Sequence, residues 1–278
     1  MKNGLENGYY HEITPSGFGI AIKAGKLLYS KQSEFQKVEV FETESSLGRV
    51  LTLDNLMMTT EGDEFHYHEM ISHVPMMHHP NPKTVLVIGG GDGGTIREVL
   101  KHETVEKAVL CEIDGLVIEA CKEHLPTIAC ELDNPKCEIL VEDAIEYIKD
   151  KVDMFDVVLI DSTDPMGPGE GLFTEEFYTN VKRSLKKGGI VAAQSESPFV
   201  NKEEIKKCII FLKKCSQFAQ HSHQISQHIL VDTGLGHSVQ KKLLHFLTTQ
   251  KIVQKKLQNL VKSITKIITM QGLHYQTI

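Results

Sequence analysis

The stretch Thr84-Val-Leu-Val-Ile-Gly-Gly-Gly-Asp-Gly-Gly-Thr-Ile-Arg-Glu constrains this chain more than any other. Its apolar run shows no alternation, as expected of a strand buried on both faces, and the glycines that follow form a turn that must open a helix. Similar runs recur at Ala108–Ile113, Cys137–Val141, Val157–Asp161 and Ile190–Gln194, with helical stretches between them. Strands alternating with helices predict an α/β fold with a doubly wound, largely parallel sheet. Ahead of it lie short β-prone runs broken by turn residues: Phe18–Ile22, Lys26–Tyr29, Val38–Phe41 and Arg49–Leu53. These predict a small N-terminal antiparallel β domain. A helix is expected from Glu64 to His73, and a linker from Pro75 to Pro82.

The chemistry sits where the predicted strands end. Glycines allow positive φ and close approach of a ligand to the backbone, which a nucleotide-type ligand at the carboxyl edge of the sheet needs. The second strand ends in Glu112-Ile-Asp114, where a carboxylate can accept both hydroxyls of a ribose. The third ends in Glu142-Asp143-Ala144, and an acid there can accept from an adenine amino group. Asp92 stands inside the glycine turn itself. It would repel a pyrophosphate or a carboxylate and hold a primary ammonium, or else it caps the following helix. Beyond the fourth strand, Asp161 and Asp164 stand three residues apart before a Gly/Pro-rich loop. An amine of pKa ~10.4 is protonated at neutral pH and not nucleophilic, so a diamine substrate needs one carboxylate to take a proton and another to hold a charge. Asp161 is the candidate base and Asp164 the candidate diamine ligand; the alternative is an Asp-x-x-Asp-Pro turn capping a helix.

A net charge of -7 over 278 residues argues against a nucleic-acid surface and is compatible with cationic ligands. No apolar run approaches the ~20 residues of a membrane span, and the first residues carry no apolar signal core, so a cytoplasmic location is expected. The six cysteines form no Cys-x-x-Cys pair and are expected to be reduced. His66, His68, His73, His78 and His79 have poor one-face spacing for a metal, so none is expected, nor any prosthetic group.

Taken together, Ser33-Glu-Phe-Gln36, Asp63-Glu-Phe, Tyr67-His68-Glu69-Met70, Gly89-Gly-Gly-Asp-Gly-Gly-Thr-Ile-Arg-Glu, Glu112-Ile-Asp, Glu142-Asp143, Asp161-Ser-Thr-Asp-Pro-Met-Gly-Pro and Gln194-Ser-Glu-Ser-Pro resemble the spermidine synthases, in order, over roughly residues 9–214. The resemblance implies a Rossmann-like, methyltransferase-type domain and a homodimer or homotetramer. It implies transfer of an aminopropyl group from decarboxylated S-adenosylmethionine, as co-substrate, to a diamine, putrescine by expectation. It also implies roles: Gln36, Glu112, Asp143, Ala144 and Pro168 around the thioadenosine, Asp92 and His68 on the aminopropyl amine or the polyamine, and Asp161 as base. Tyr67, Asp164 and Gln194 would line the diamine groove. A polyamine N-methyltransferase using intact S-adenosylmethionine is the enzymatic alternative, which Asp92 opposes by facing that molecule's carboxylate. An inactive polyamine-binding protein is the other.

The resemblance stops after Lys214. Residues 215–278 hold 10 Gln and 6 His, against 3 Gln in the preceding 214, and the chain has no Trp. Shifted codons, made from the third base of one codon and the first two of the next, tell more. His223–Gly234 can then encode Ser-Asn-Ile-Pro-Thr-Tyr-Pro-Ser-Gly-His-Trp, similar to a segment of the family. Lys266–Ile278 permits Asn-Tyr-Tyr-Asn-Ala-Arg-Leu-Ala-Leu-Pro-Asn-Tyr, and Lys214–Phe218 permits Val-Phe-Pro-Ile. The expectation is a single-base deletion near codons 214 and 215. The chain therefore divides into an N-terminal β domain (1–75), a catalytic domain (76–214) and an out-of-frame tail (215–278) that replaces the last strands and costs stability and activity.

Overall fold

The computed structural model describes residues 3–13, 19–163, 167–195 and 229–232. The expectations for Asp164, for the Pro168 side chain, and for the tail apart from the backbone of 229–232 lie outside the described residues.

Six strands form the N-terminal antiparallel sheet, each paired with the next: β1 (Gly4–Glu6), β2 (Tyr9–Ile13), β3 (Gly19–Gln32), β4 (Lys37–Thr43), β5 (Arg49–Leu53) and β6 (Leu56–Thr60). The first hairpin turns at Asn7 and Gly8, both at positive φ (52° and 80°), as an Asn-Gly turn between right-twisted strands requires. Sequence reasoning passed over this hairpin. It also expected two strands where the chain makes one. Phe18–Ile22 and Lys26–Tyr29 belong to the single 14-residue β3, whose pairing with β4 shifts register between Ala24 and Tyr29. A bulge there absorbs the break that the turn-like residues suggested.

Helix α1 (Phe65–His78) corrects the expected linker at Pro75, because the helix runs through that residue. Proline has no N–H to donate back along the helix. Its neighbours offset that loss: Val74, Pro75 and Met76 are all buried, and each fully buried large apolar side chain contributes about 1.5–3 kcal/mol.

The second sheet is parallel, in the order β12-β11-β10-β7-β8-β9. Its strands are β7 (Thr84–Gly89), β8 (Lys107–Glu112), β9 (Cys137–Val141), β10 (Phe155–Asp161), β11 (Leu185–Ser195) and β12 (Ile229–Asp232), and β12 pairs in parallel with β11. Helices α2 (Gly94–Leu100), α3 (Gly115–His124), α4 (Ala144–Ile148) and α5 (Glu175–Ser184) connect them, with a 3-10 segment at Gly167–Phe173. Strands β7, β8 and β10 are buried on both faces, whereas β9 at the edge is partly exposed. Val85, Val87, Leu110, Val157 and Leu159 pack on one side with Ile71, Ile96 and Val117, and that core continues into Val38, Val40 and Leu51 of the antiparallel sheet. Leu86, Ile88, Val109, Val158 and Ile160 pack on the other with Ile148, Phe177 and Val181. Strand order reverses between β7 and β10, and a crevice outside the carboxyl ends of such a pair is where ligands enter an open α/β sheet. Those two ends are in register, Asp161 opposite Gly89. No helix among the described residues is long and apolar enough to cross a membrane.

Candidate active site

The loop Gly90–Gly93 carries the chain from β7 to α2. Gly90 has φ +68°, and a Cβ there would stand 2.6 Å from Asp161 Oδ2. The turn is therefore held against β10 by the absence of a side chain.

Asp161 is gripped on both oxygens. The Tyr67 hydroxyl donates to Oδ1, and the Thr95 hydroxyl donates to Oδ2 over 2.6 Å. Burial and then the nearby Asp92 carboxylate push its pKa up, while His68 and the two hydroxyls pull the other way. Burial, followed by Asp161 itself, holds the Tyr67 phenol well above its ordinary value, so Tyr67 stays a neutral phenol able to donate to Asp161.

Asp92 makes a helix-start contact and faces a cationic side chain. Its Oδ1 accepts the Gly94 amide over 2.8 Å at the start of α2, and its Oδ2 lies 3.3 Å from His68 Nε2. Burial works against its charge, but the facing His68 and the Gly94 amide hold its carboxyl below the usual range. Burial likewise opposes the His68 cation, yet Asp92 and Glu64 outweigh it and raise the imidazolium pKa to about 10.

At the end of β8, Glu112 accepts the amides of Gly91 (3.1 Å) and Asp114 (2.9 Å). Burial exceeds the help of those amides and raises its pKa to about 7. Gln36 reaches this corner through Asp114, donating to Oδ2 over 3.1 Å beside the Ser33 hydroxyl at 2.8 Å. Asp143 caps α4 by accepting the Ile145 amide over 2.8 Å, and Ala144 is buried behind it. Gln194 is buried on β11, its backbone paired with Val231 of β12.

The structure thus brings Tyr67, His68, Asp92 and Asp161 into one cluster, with Glu112, Gln36, Asp143 and Ala144 along the neighbouring strand ends. Sequence reasoning gave no role to Thr95, Glu64 or Arg97, and took Asp114 only as part of the Glu112-Ile-Asp114 strand end. Glu64 carried a signal, since it stands one helical turn before His68. Thr95 carried none, because only the register of β10 against β7 brings it to Asp161. Among the described residues, no group of three or more His, Cys, Asp or Glu side chains is arranged to hold a metal ion.

Such a cluster suits an adenosyl ligand bearing a cation. In comparison with known proteins, the spermine/spermidine synthase domain matches residues 64–230, and the spermidine synthase tetramerisation domain matches residues 8–61. The chain belongs to the spermine/spermidine synthase family. Its relatives in that family include the polyamine aminopropyltransferases of Thermotoga petrophila, 52% identical over 69% of this chain and 64% of that protein, and of Moorella thermoacetica, 45% identical over 76% and 75%. The matched part thus spans less than two thirds of the first of these relatives and three quarters of the second. A crystal structure of a spermidine synthase holding the transition-state analogue AdoDATO superposes with TM-score 0.73 and 47% identity, over 77% of this chain and 73% of that one. The spermidine synthase of Thermotoga maritima gives 0.70 and 44%.

Proposed function

We propose that the chain transfers the aminopropyl group of decarboxylated S-adenosylmethionine to putrescine, giving spermidine and methylthioadenosine. The carrying observation is the pair of partly buried carboxylates, Asp92 in the glycine turn and Asp161 at the end of β10. Asp92 holds the primary ammonium of the aminopropyl chain by a charge-assisted bond. Glu112 takes the ribose hydroxyls and Asp143 the adenine amino group, with Gln36, Ala144 and Pro168 around the thioadenosine. Tyr67, His68, Asp164 and Gln194 line the diamine. Asp161 takes a proton from the attacking ammonium, the freed nitrogen forms the new N–C bond, and the C–S bond breaks with its electrons on sulfur. The sulfonium leaves as a neutral thioether, so no general acid is needed. The relatives named polyamine aminopropyltransferase and the AdoDATO-bound spermidine synthase support this reading.

Assembly as a homodimer or homotetramer belongs to the same proposal, and the tetramerisation-domain match supports self-association. So does a cytoplasmic location, with which the free thiols of Cys111, Cys121, Cys130 and Cys137 agree. The test is incubation with decarboxylated S-adenosylmethionine and putrescine, scored for methylthioadenosine and spermidine, beside a cadaverine arm and an arm with intact S-adenosylmethionine. It is run on this chain and on one translated in the shifted frame after codon 214. Spermidine from the shifted-frame chain is the expected product. Methylated putrescine, or binding without turnover in both chains, would overturn the reading.

A further inference from the structure

Both ring nitrogens of His68 face carboxylates. Nδ1 is hydrogen-bonded to Glu64, one helical turn earlier, and Nε2 points at Asp92 over 3.3 Å. A neutral imidazole carries a single N–H and could donate to only one of them, so this arrangement calls for both nitrogens to be donors. All three side chains are largely out of water: 2% exposed for His68, 8% for Glu64 and 12% for Asp92.

Glu64 is itself held. The same Oε2 accepts from Arg97 over 2.8 Å, and Arg97 also donates to Glu98 over 2.9 Å and to the Thr127 carbonyl over 3.1 Å. Lys101 closes the series on Glu98 at 2.6 Å. Charges alternate along it: Asp92, His68, Glu64, Arg97, Glu98, Lys101. The ring also lies against the start of α2, where a Cβ on Gly94 would fall 2.4 Å from His68 Cε1. The titratable groups around His68 are Glu64 and Tyr67 from its own helix, Asp92 from the loop, Arg97 from α2 and Asp161 from β10.

We propose that Glu64 is a positioning residue for the transfer reaction: it fixes His68 as an imidazolium held between two carboxylates, which in turn holds the Asp92 carboxylate charged and oriented for the substrate ammonium. The proposal rests on the aminopropyltransferase reading for its kinetic consequence. Glu64, His68 and Asp92 together present one net negative charge to one incoming ammonium. The cation also keeps the Asp92 charge from acting unopposed on Asp161, which must ionise to accept a proton. Without Glu64 the imidazole loses its proton more readily, and two neighbouring carboxylates then compete to stay neutral.

Two measurements on Glu64→Gln test this, with Glu64→Asp as the variant that keeps the charge. The first follows the His68 ring nitrogens by 15N NMR against pH, without substrate. In the parent chain the ring stays doubly protonated through pH values where free histidine is neutral; in E64Q it titrates at least tenfold more readily, and E64D falls between. The second is the pH profile of kcat/KM, whose acid limb moves to higher pH in E64Q, with a larger loss at pH 6 than at pH 8. An unchanged ring titration, or a lower Tm with an unmoved acid limb, would overturn the proposal. If no chain releases methylthioadenosine, the aminopropyltransferase reading fails, and the ring titration alone decides the role of Glu64.

Discussion

Thr95, the second residue of α2, donates its hydroxyl to Asp161 Oδ2 over 2.6 Å although 66 positions separate them. With Tyr67 on the other oxygen, two hydroxyls from two helices fix the plane of a partly buried carboxylate. Each favours its ionised form, against the burial and the Asp92 charge that oppose it. Thr95→Val keeps the shape and removes one donor. The acid limb of kcat/KM should then move to higher pH, with turnover at pH 7 down on the order of tenfold, while T95S retains the parent profile. A T95V profile displaced equally at all pH values would mean that the hydroxyl serves only packing.

On the proposed function, Glu112 would link ligand affinity to pH. Its pKa is raised to about 7, so the folded chain favours the neutral acid, and this group's contribution to stability is greatest below its unfolded value of 4.5 and is lost as pH rises through about 7. Ribose hydroxyls, placed here by the proposed function, would donate to the ionised form and pull the pKa back down. Methylthioadenosine should therefore bind more tightly as pH rises towards about 7, by up to roughly tenfold per pH unit, and then level off. Calorimetry near pH 6 in two buffers of different ionisation heat should detect proton release on binding, and Glu112→Gln should abolish it.

Gly94→Ala tests the contact between α2 and the imidazole. Alanine favours a helix by about 1 kcal/mol over glycine, but the new methyl would lie 2.4 Å from the His68 ring. Overpacking of this kind costs about 1–3 kcal/mol, so a net loss is expected in urea unfolding. A more stable G94A chain would show that the ring has room to move.

The sequence made the parallel sheet legible because its strands are apolar on both faces, a pattern that survives any detail of packing. Asp92, Glu112 and Asp161 were legible for a related reason: charged residues at the ends of such strands have few places to go except the crevice. The long-range pairs were not. Nothing local to Thr95 announces Asp161, and nothing local to Gln36 announces Asp114; the first pair is made by strand register and the second by the packing of two sheets. Pro75 misled because its backbone cost is local, whereas the burial of Val74 and Met76 that offsets it is tertiary. The Asn7-Gly8 turn was readable from its residue types alone and was missed.

The last 64 residues carry their own expectation, which lies outside the described residues except for the strand at 229–232. Inserting one base near codon 214 should give a chain that unfolds at higher temperature and turns over faster than this one. Scanning calorimetry and methylthioadenosine release measure the two. Equal stability and equal turnover would mean that the tail is in its proper frame.

The pairing of Asp161 with Gly89 also makes the two central strands intolerant of changes in length. Side chains alternate faces along a strand, so removing one residue from the middle of β10 would carry Asp161 away from Tyr67 and Thr95 and leave a charge in the opposite core. Substitutions in β7 and β10 can be absorbed one methyl group at a time, whereas insertions and deletions there cannot. Viable length variants of this chain should therefore be confined to its loops, and a library of single-codon deletions would map the two strands as gaps among the survivors.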